Sequence, residues 1–110
     1  MKIVFVTNSI HDSHAIKRIG EFAERGYDYV AYGFKRDIDI PTPYERYNIQ
    51  IIGEISNTQS YISRIPIIRR ALKRIVSLYD GSDVLWYFFG LDVALFAPVF
   101  GLNGKYIYEE

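Results

Sequence analysis

Short apolar runs alternate along this chain with longer stretches in which apolar residues recur at helical spacing. Apolar runs of this length, without polar alternation, are typical of strands buried on both faces of a parallel sheet. We therefore predict five strands, the third of them closed by Gly53. They lie at Ile3–Val6, Tyr29–Phe34, Ile49–Ile52, Val84–Phe89 and Tyr106–Tyr108.

Two amphipathic helices are predicted between these strands. The first is capped at its start by Asp12 or Ser13 and ended by Gly26, because glycine tolerates a left-handed conformation. The second runs from about Ser60 to Tyr79, and Pro66 is either its first helical residue or a kink in its first turn. Its predicted core stripe is Ile62, Ile65, Ile68, Leu72, Ile75, Val76 and Tyr79.

The remaining segments complete the predicted topology. Lys35 to Asn48 is polar, contains two prolines and is expected to be a surface loop, while Leu91 to Gly101 is expected to be a short buried helix. The order of elements predicts an α/β fold. Specifically, we expect a Rossmann-like, doubly wound parallel sheet with strand order 3-2-1-4-5 and helices on both faces, in a single domain spanning residues 1–110.

Composition narrows the class of protein. The 110 residues are 49% hydrophobic, and the 13 basic side chains balance the 13 acidic ones, so no global charge attracts nucleic acid. The absence of cysteine excludes disulfides and thiolate metal sites and favours a reducing compartment. No apolar run reaches the ~20 residues that a membrane span requires, and the N-terminal run is too short for a signal peptide. We expect a cytoplasmic protein.

The end of the chain predicts an incomplete fold. No helix follows the fifth strand, so strands four and five are expected to be poorly covered on one face, and exposed apolar surface is costly. We expect a half-domain that is completed by a second domain or by a homodimer mate. A small complete domain with an exposed edge is the alternative. The aromatic residues concerned are Trp86, Tyr87, Phe88, Phe89, Phe96 and Phe100.

Candidate site residues follow from the topology, because open α/β sheets bind ligands at the carboxyl ends of the strands, where the strand order reverses. The first turn and the tips of strands four and five meet there. The candidates are Asn8, Ser9, His11, His14, Gly90, Asp92, Glu109 and Glu110.

The chemistry of these candidates leaves several roles open. The first turn has no glycine, which argues against NAD, FAD and ATP, although its helix N-terminus can bind an anion or hydroxyl groups. His11 and His14 suit contacts to a sugar or a lipid phosphate, or they are solvated loop residues. Asp92 is alternatively a helix cap, and the two glutamates are alternatively a charged strand end. No metal site is expected, since the spacing matches no known ligand pattern.

The second helix is strongly basic. No acidic residue occurs between Ile55 and Tyr79. A basic face beside isoleucine and tyrosine is attractive to an anionic membrane surface, while a solvated face is the alternative and nucleic acid a third possibility. The basic residues are Arg64, Arg69, Arg70, Lys73 and Arg74.

Several segments resemble a known enzyme family. The opening from Lys2 to Asn8, the Ser9–His11 turn, Lys17-Arg18 and the segment Ala23–Val30 resemble the start of family-4-like GT-B glycosyltransferases, and the ending 105–110 is similar to their fifth strand. These enzymes have two Rossmann-like halves. The first turn here lacks the paired glycines of many members, and no histidine follows strand four.

The resemblance implies an acceptor-side, N-terminal half of a glycosyltransferase that acts in cell-surface polysaccharide synthesis. The nucleotide-sugar donor is expected in the absent C-terminal half, so no cofactor is expected on this half, and 110 residues alone should be inactive. Expected partners are that second half or a homodimer mate, a glycan or lipid-linked acceptor, and an anionic membrane at its inner face. The alternatives are a free-standing binding or interaction module and a flavodoxin- or receiver-like domain.

Overall fold

The computed structural model describes residues 1–36, 46–56, 58, 60–79, 81–90 and 106–109. Seven elements lie within these ranges. The strands are β1 (Lys2–Thr7), β2 (Tyr29–Arg36), β3 (Ile49–Ile55), β4 (Val84–Phe89) and β5 (Tyr106–Glu109), and the helices are α1 (Ser13–Glu24) and α2 (Tyr61–Leu78). The predicted helix Leu91–Gly101 lies outside the described residues.

The five strands form one sheet in the order β3-β2-β1-β4-β5, and all neighbouring pairs are parallel. The predicted Rossmann-like α/β fold and its strand order are therefore confirmed. The strand order reverses between β1 and β4, since β2 and β3 lie on one side of β1 and β4 and β5 on the other. In this topology the carboxyl ends of β1, β4 and β5 meet at one edge, which we call the carboxyl edge.

Within the described ranges one helix covers each face of the sheet, so the fold has three layers, with helices on both faces as predicted. α1 buries Ala15, Ile16 and Ile19 against Phe5 and other side chains of one face. α2 buries residues including Ile68 on the other face. The two apolar layers follow from the alternation of side chains along each strand, because successive residues point to opposite faces.

Three expectations about the strand ends and the start of α2 need correction. β2 continues through Lys35 and Arg36, and β3 continues past Gly53 to Ile55, because these residues remain paired in register: Lys35 with Glu54 and Arg36 with Ile55. Pro66 lies inside α2 and is not its first residue, because Ser60 caps the helix by accepting a hydrogen bond from the backbone N–H of Ser63.

Ile62 was wrongly assigned to the core stripe of α2. Its side chain is 77% exposed, because it lies on the outer side of the first turn.

The aromatic residues of β4 were also expected to be poorly covered, but all four are buried between the two helical layers: Trp86, Tyr87, Phe88 and Phe89. Tyr106 and Ile107 on the outer strand β5 are exposed, while Phe96 and Phe100 lie outside the described residues.

Candidate ligand-binding site at the carboxyl edge

The turn between β1 and α1 is organised by its own side chains. The hydroxyl of the buried Thr7 donates to the carbonyl of Ser9 at 2.9 Å, and the hydroxyl of Ser9 accepts from the backbone N–H of His11 at 3.1 Å. Asp12, one of the two predicted caps, caps α1 by accepting from the N–H groups of His14 and Ala15. These local bonds hold the polar turn in one conformation above the sheet.

Asn8 and Gly90 close the gap between β1 and β4. The N–H of Asn8 donates to the carbonyl of Phe89 at 3.1 Å, and Gly90 follows with a φ of 97°. A Cβ added at Gly90 would clash with the side-chain amide of Asn8. Two features therefore require glycine at position 90: its positive φ, and the side-chain amide of Asn8 that packs against it.

Glu109, at the end of β5, is held by α1. Its Oε1 accepts from Nη2 of Arg18 at 2.9 Å, and its Oε2 accepts from Nε of Arg18 at 3.2 Å. Nε2 of His14 lies 3.2 Å from the same Oε2, and Arg18 also pairs with Glu21 at 2.8 Å. We call His14, Arg18 and Glu109 the rim clasp, because they tie the tip of the sheet to α1.

The rim clasp changes the acidity of its members. Partial burial favours the neutral carboxyl of Glu109, but the hydrogen bonds and charge of Arg18, together with His14, outweigh it and lower its pKa below the ordinary 4.5. The hydrogen bond and charge of Glu109 raise the pKa of Arg18 in turn. Burial, and then the charge of Glu109, raise the pKa of Tyr87 beneath the clasp. The lowered pKa makes Glu109 a weaker base than an ordinary carboxylate, and both of its oxygens are already engaged in the clasp.

The two histidines occupy different environments. His14 is half exposed, with its ring edge-on to Phe89 at a centroid distance of 6.3 Å. Both ring nitrogens of His11 are buried and have no hydrogen-bond partner among the described residues. Buried polar groups are ordinarily paired, so the imidazole of His11 calls for a partner that supplies both a donor and an acceptor.

Arg36 and Arg18 are site residues that were not predicted. Arg36 is 7% exposed, and its Nε donates to the carbonyl of Asn8 at 3.0 Å, which fixes the first turn against β2. The sequence could have predicted Arg18 as a neighbour of His14 and Glu21, because it lies four residues after the first and three before the second on one helix face. Arg36 had no comparable signal, since it was assigned to a loop.

The predicted site residues divide into three groups. Asn8, Ser9, His11, His14, Gly90 and Glu109 lie at the carboxyl edge. Asp92 and Glu110 lie outside the described residues. The five basic residues of α2 are on the other face of the sheet; Arg64 is half-buried, and the other four are exposed: Arg69, Arg70, Lys73 and Arg74.

The edge offers mainly neutral hydrogen-bonding groups to a ligand. A shallow depression of about 70 Å³ beside the clasp is lined by His14, Lys17, Arg18 and Glu21, so it carries charges of both signs. Within the described ranges, no three His, Asp or Glu side chains are arranged to hold a metal ion, and neither helix has the length and apolar character of a membrane span.

Comparison with known proteins adds nothing to the classification that the fold itself provides. No family model, no curated protein and no solved structure matches the chain. The fold defines a Rossmann-like α/β protein, in which the first turn, Gly90 and Glu109 lie together at the edge where the strand order reverses.

Proposed function

We propose that this chain is the acceptor-side half of a GT-B-type glycosyltransferase, which holds a glycan or lipid-linked acceptor while a second half holds the nucleotide sugar. One observation carries the proposal: the first turn, Gly90 and Glu109 converge on the edge where such sheets bind ligands. The expected activity is transfer of a sugar in cell-surface polysaccharide synthesis.

The hydrogen-bonding inventory of the edge favours a polyhydroxy ligand. The amide of Asn8 and the hydroxyl of Ser9 each combine a donor with an acceptor, as sugar hydroxyls do. The charge of Arg18 is already neutralised by Glu109 and Glu21, so it is not available to attract a phosphate. The first turn also has no glycine that would admit a pyrophosphate to its backbone.

In this proposal the chain binds and orients, and the second half supplies the donor. Glu109 is held by two other side chains, so its role is to fix the rim. Positioning two substrates together is itself a large part of catalysis, which is why the half alone is expected to be inactive. A homodimer mate is the other partner that could complete the crevice.

A non-catalytic binding module is the second candidate, and the state of the carboxylates favours it. Asp12 is used as a helix cap and Glu109 as a clasp, so neither carboxylate of the described edge is free to act as a base. Release of nucleoside diphosphate from a sugar donor, when the chain is combined with a candidate donor-binding half, would decide for the enzyme. Glycan binding without that release would decide for the module.

The proposal also includes a peripheral location at the inner face of the membrane, where lipid-linked acceptors are found. The exposed basic residues of α2 are what favour this location.

Equilibrium binding measured by calorimetry tests the proposal. Soluble oligosaccharides should bind wild-type chain and bind Asn8→Ala about tenfold more weakly, while Lys35→Ala, a change on exposed β2 surface, should have no effect. Nucleotide sugars should bind weakly or not at all. Tight binding of a nucleotide sugar without any binding of glycans would overturn the assignment to the acceptor side.

A further inference from the structure

The outer surface of α2 is exposed, basic and free of acidic residues. Arg69, Arg70, Lys73 and Arg74 all face solvent within two turns of the helix. Among the described residues, the hydrogen bonds and ion pairs include none of their side chains. Five of the thirteen basic residues of the chain lie on α2, while the chain as a whole is neutral. The charge is therefore strongly concentrated on one side of the molecule.

Exposed apolar side chains lie at both ends of this basic surface. Tyr61 and Ile62 occupy the first turn and are 45% and 77% exposed, and Leu78 at the last turn is 63% exposed. Ile62 lies four residues before the exposed Pro66, so it continues the line of Arg69 and Lys73 along the helix. Apolar side chains beside a basic stripe are typical of surfaces that contact a lipid headgroup layer.

The start of α2 lies at the carboxyl edge. β3 runs parallel to β2, and its last residue Ile55 pairs with Arg36, whose guanidinium reaches the first turn at Asn8. α2 begins six residues after Ile55. The exposed pair Tyr61 and Ile62 is therefore on the same side of the molecule as the candidate site, and the basic residues extend from there toward the opposite edge.

We infer that α2 is a membrane-docking helix, an inference that rests on the peripheral location in the proposed function: its basic outer surface lies on an anionic bilayer, and Ile62 inserts among the headgroups. The core stripe of α2 stays buried against the sheet, so docking requires no unfolding. Charge complementarity selects anionic lipid. The exposed Ile62 beside these cations favours a bilayer over a nucleic acid, whose phosphate surface offers no apolar environment, and the flotation test below separates a bilayer from an acidic protein. In this orientation the sheet lies above the bilayer with α2 beneath it, and the carboxyl edge is at the end of α2 where Ile62 inserts.

Vesicle flotation tests the inference with a charge-matched control. Wild-type chain should float with phosphatidylcholine vesicles that contain phosphatidylglycerol and should not float with phosphatidylcholine alone. Arg70→Glu/Arg74→Glu should lower the partition coefficient at least about tenfold. Arg25→Glu/Arg46→Glu makes the same charge change at exposed positions outside α2 and should lower it much less. Circular dichroism establishes that each variant remains folded.

Insertion of Ile62 is tested separately. Ile62→Ser should weaken binding severalfold without changing the melting temperature, and raising the salt concentration should weaken the binding of wild type and Ile62→Ser alike. Equal flotation of wild type and Arg70→Glu/Arg74→Glu would overturn the inference, as would an absence of flotation with both lipid mixtures. Equal binding by Ile62→Ser would overturn insertion. None of these assays contains a sugar, so they fail or succeed independently of the proposed transfer function.

Discussion

The charged residues of α1 and α2 are used in opposite ways. On α1, Arg18 is engaged by Glu109 and Glu21, and it stabilises the tip of β5. On α2, the cations at Arg70 and Arg74 have no partner among the described residues, although the helix is equally well packed on its inner side. Charges that are paired within the chain stabilise its architecture, whereas clustered unpaired cations repel one another, and this difference is why we propose an external partner for α2 alone.

The largest expected effect distinguishes the inner and outer sides of α2. Ile68 is 1% exposed, so Ile68→Ala should lower the free energy of unfolding by about 2–5 kcal/mol through lost burial and a residual cavity. The same substitution at the exposed Ile62 should change it by less than about 0.5 kcal/mol. Denaturant unfolding measures both. Equal losses at the two positions would mean that the helix faces the sheet differently.

The second largest effect is expected at Gly90, where the carboxyl edge is closely packed. Gly90→Ala combines a strained φ with a clash against Asn8, and it should cost about 1–3 kcal/mol. Gly81→Ala is the matched control, because Gly81 has a φ of 78° with no atom near its missing Cβ, so it should cost less.

Replacing Asn8 should separate the two causes of destabilisation in Gly90→Ala, which are the strained φ and the clash with the Asn8 side chain. Asn8→Gly removes the side chain that a new Cβ would meet. The double variant Asn8→Gly/Gly90→Ala should therefore lose less unfolding free energy than the sum of the losses in the two single variants. Strict additivity in thermal unfolding would contradict the close contact between this amide and Gly90.

A smaller effect tests the rim clasp through pH. The folded-state pKa of Glu109 is lowered, so its contribution is present above pH 4.5 and is lost as the pH falls through the folded-state value. Glu109→Gln should lower the melting temperature by a few degrees at neutral pH and should have a flatter acid dependence than wild type. Glu54→Gln is the control, because Glu54 is exposed and only 4.0 Å from Lys35. Identical acid profiles for Glu109→Gln and wild type would contradict the clasp.

The smallest expected effect is on the outer surface of α2. Arg70→Gln and Arg74→Gln should change the free energy of unfolding by less than about 0.5 kcal/mol each, because the exposed side chains make no described ion pair. A combined variant should be unchanged or slightly more stable, since it relieves repulsion between the neighbouring cations. Marked destabilisation would show that these cations serve the fold and not a partner.

The sheet was predictable because its signal is local. Unbroken apolar runs such as Ile3–Val6 can be buried only inside a sheet covered on both faces, and strand order follows from the connections. The ends of β2 and β3 were missed because Lys35, Arg36 and Glu54 look like loop residues. Strand pairing extends past the last apolar residue when the polar side chains point outward or find a partner.

The side-chain chemistry of the site was only partly predictable. Topology placed His14 and Glu109 at one edge, but 95 residues separate them in the sequence, so no spacing rule could indicate their contact. Arg18 is recognisable as a helix-face neighbour of His14, yet its bidentate hold on Glu109 depends on the register of β5. Periodicity likewise could not separate Ile62 from Ile65, because the end of a helix can extend beyond the sheet it covers.

The most direct test of the central claim is an amide-resolved NMR titration of the chain with oligosaccharide acceptors. The account predicts that the largest chemical-shift changes occur at Asn8, Ser9, His11 and Gly90 at the carboxyl edge, with little change at Ser82 near the opposite edge. Changes concentrated around Ser82, with Asn8 and Gly90 unmoved, would contradict the assignment of the ligand site.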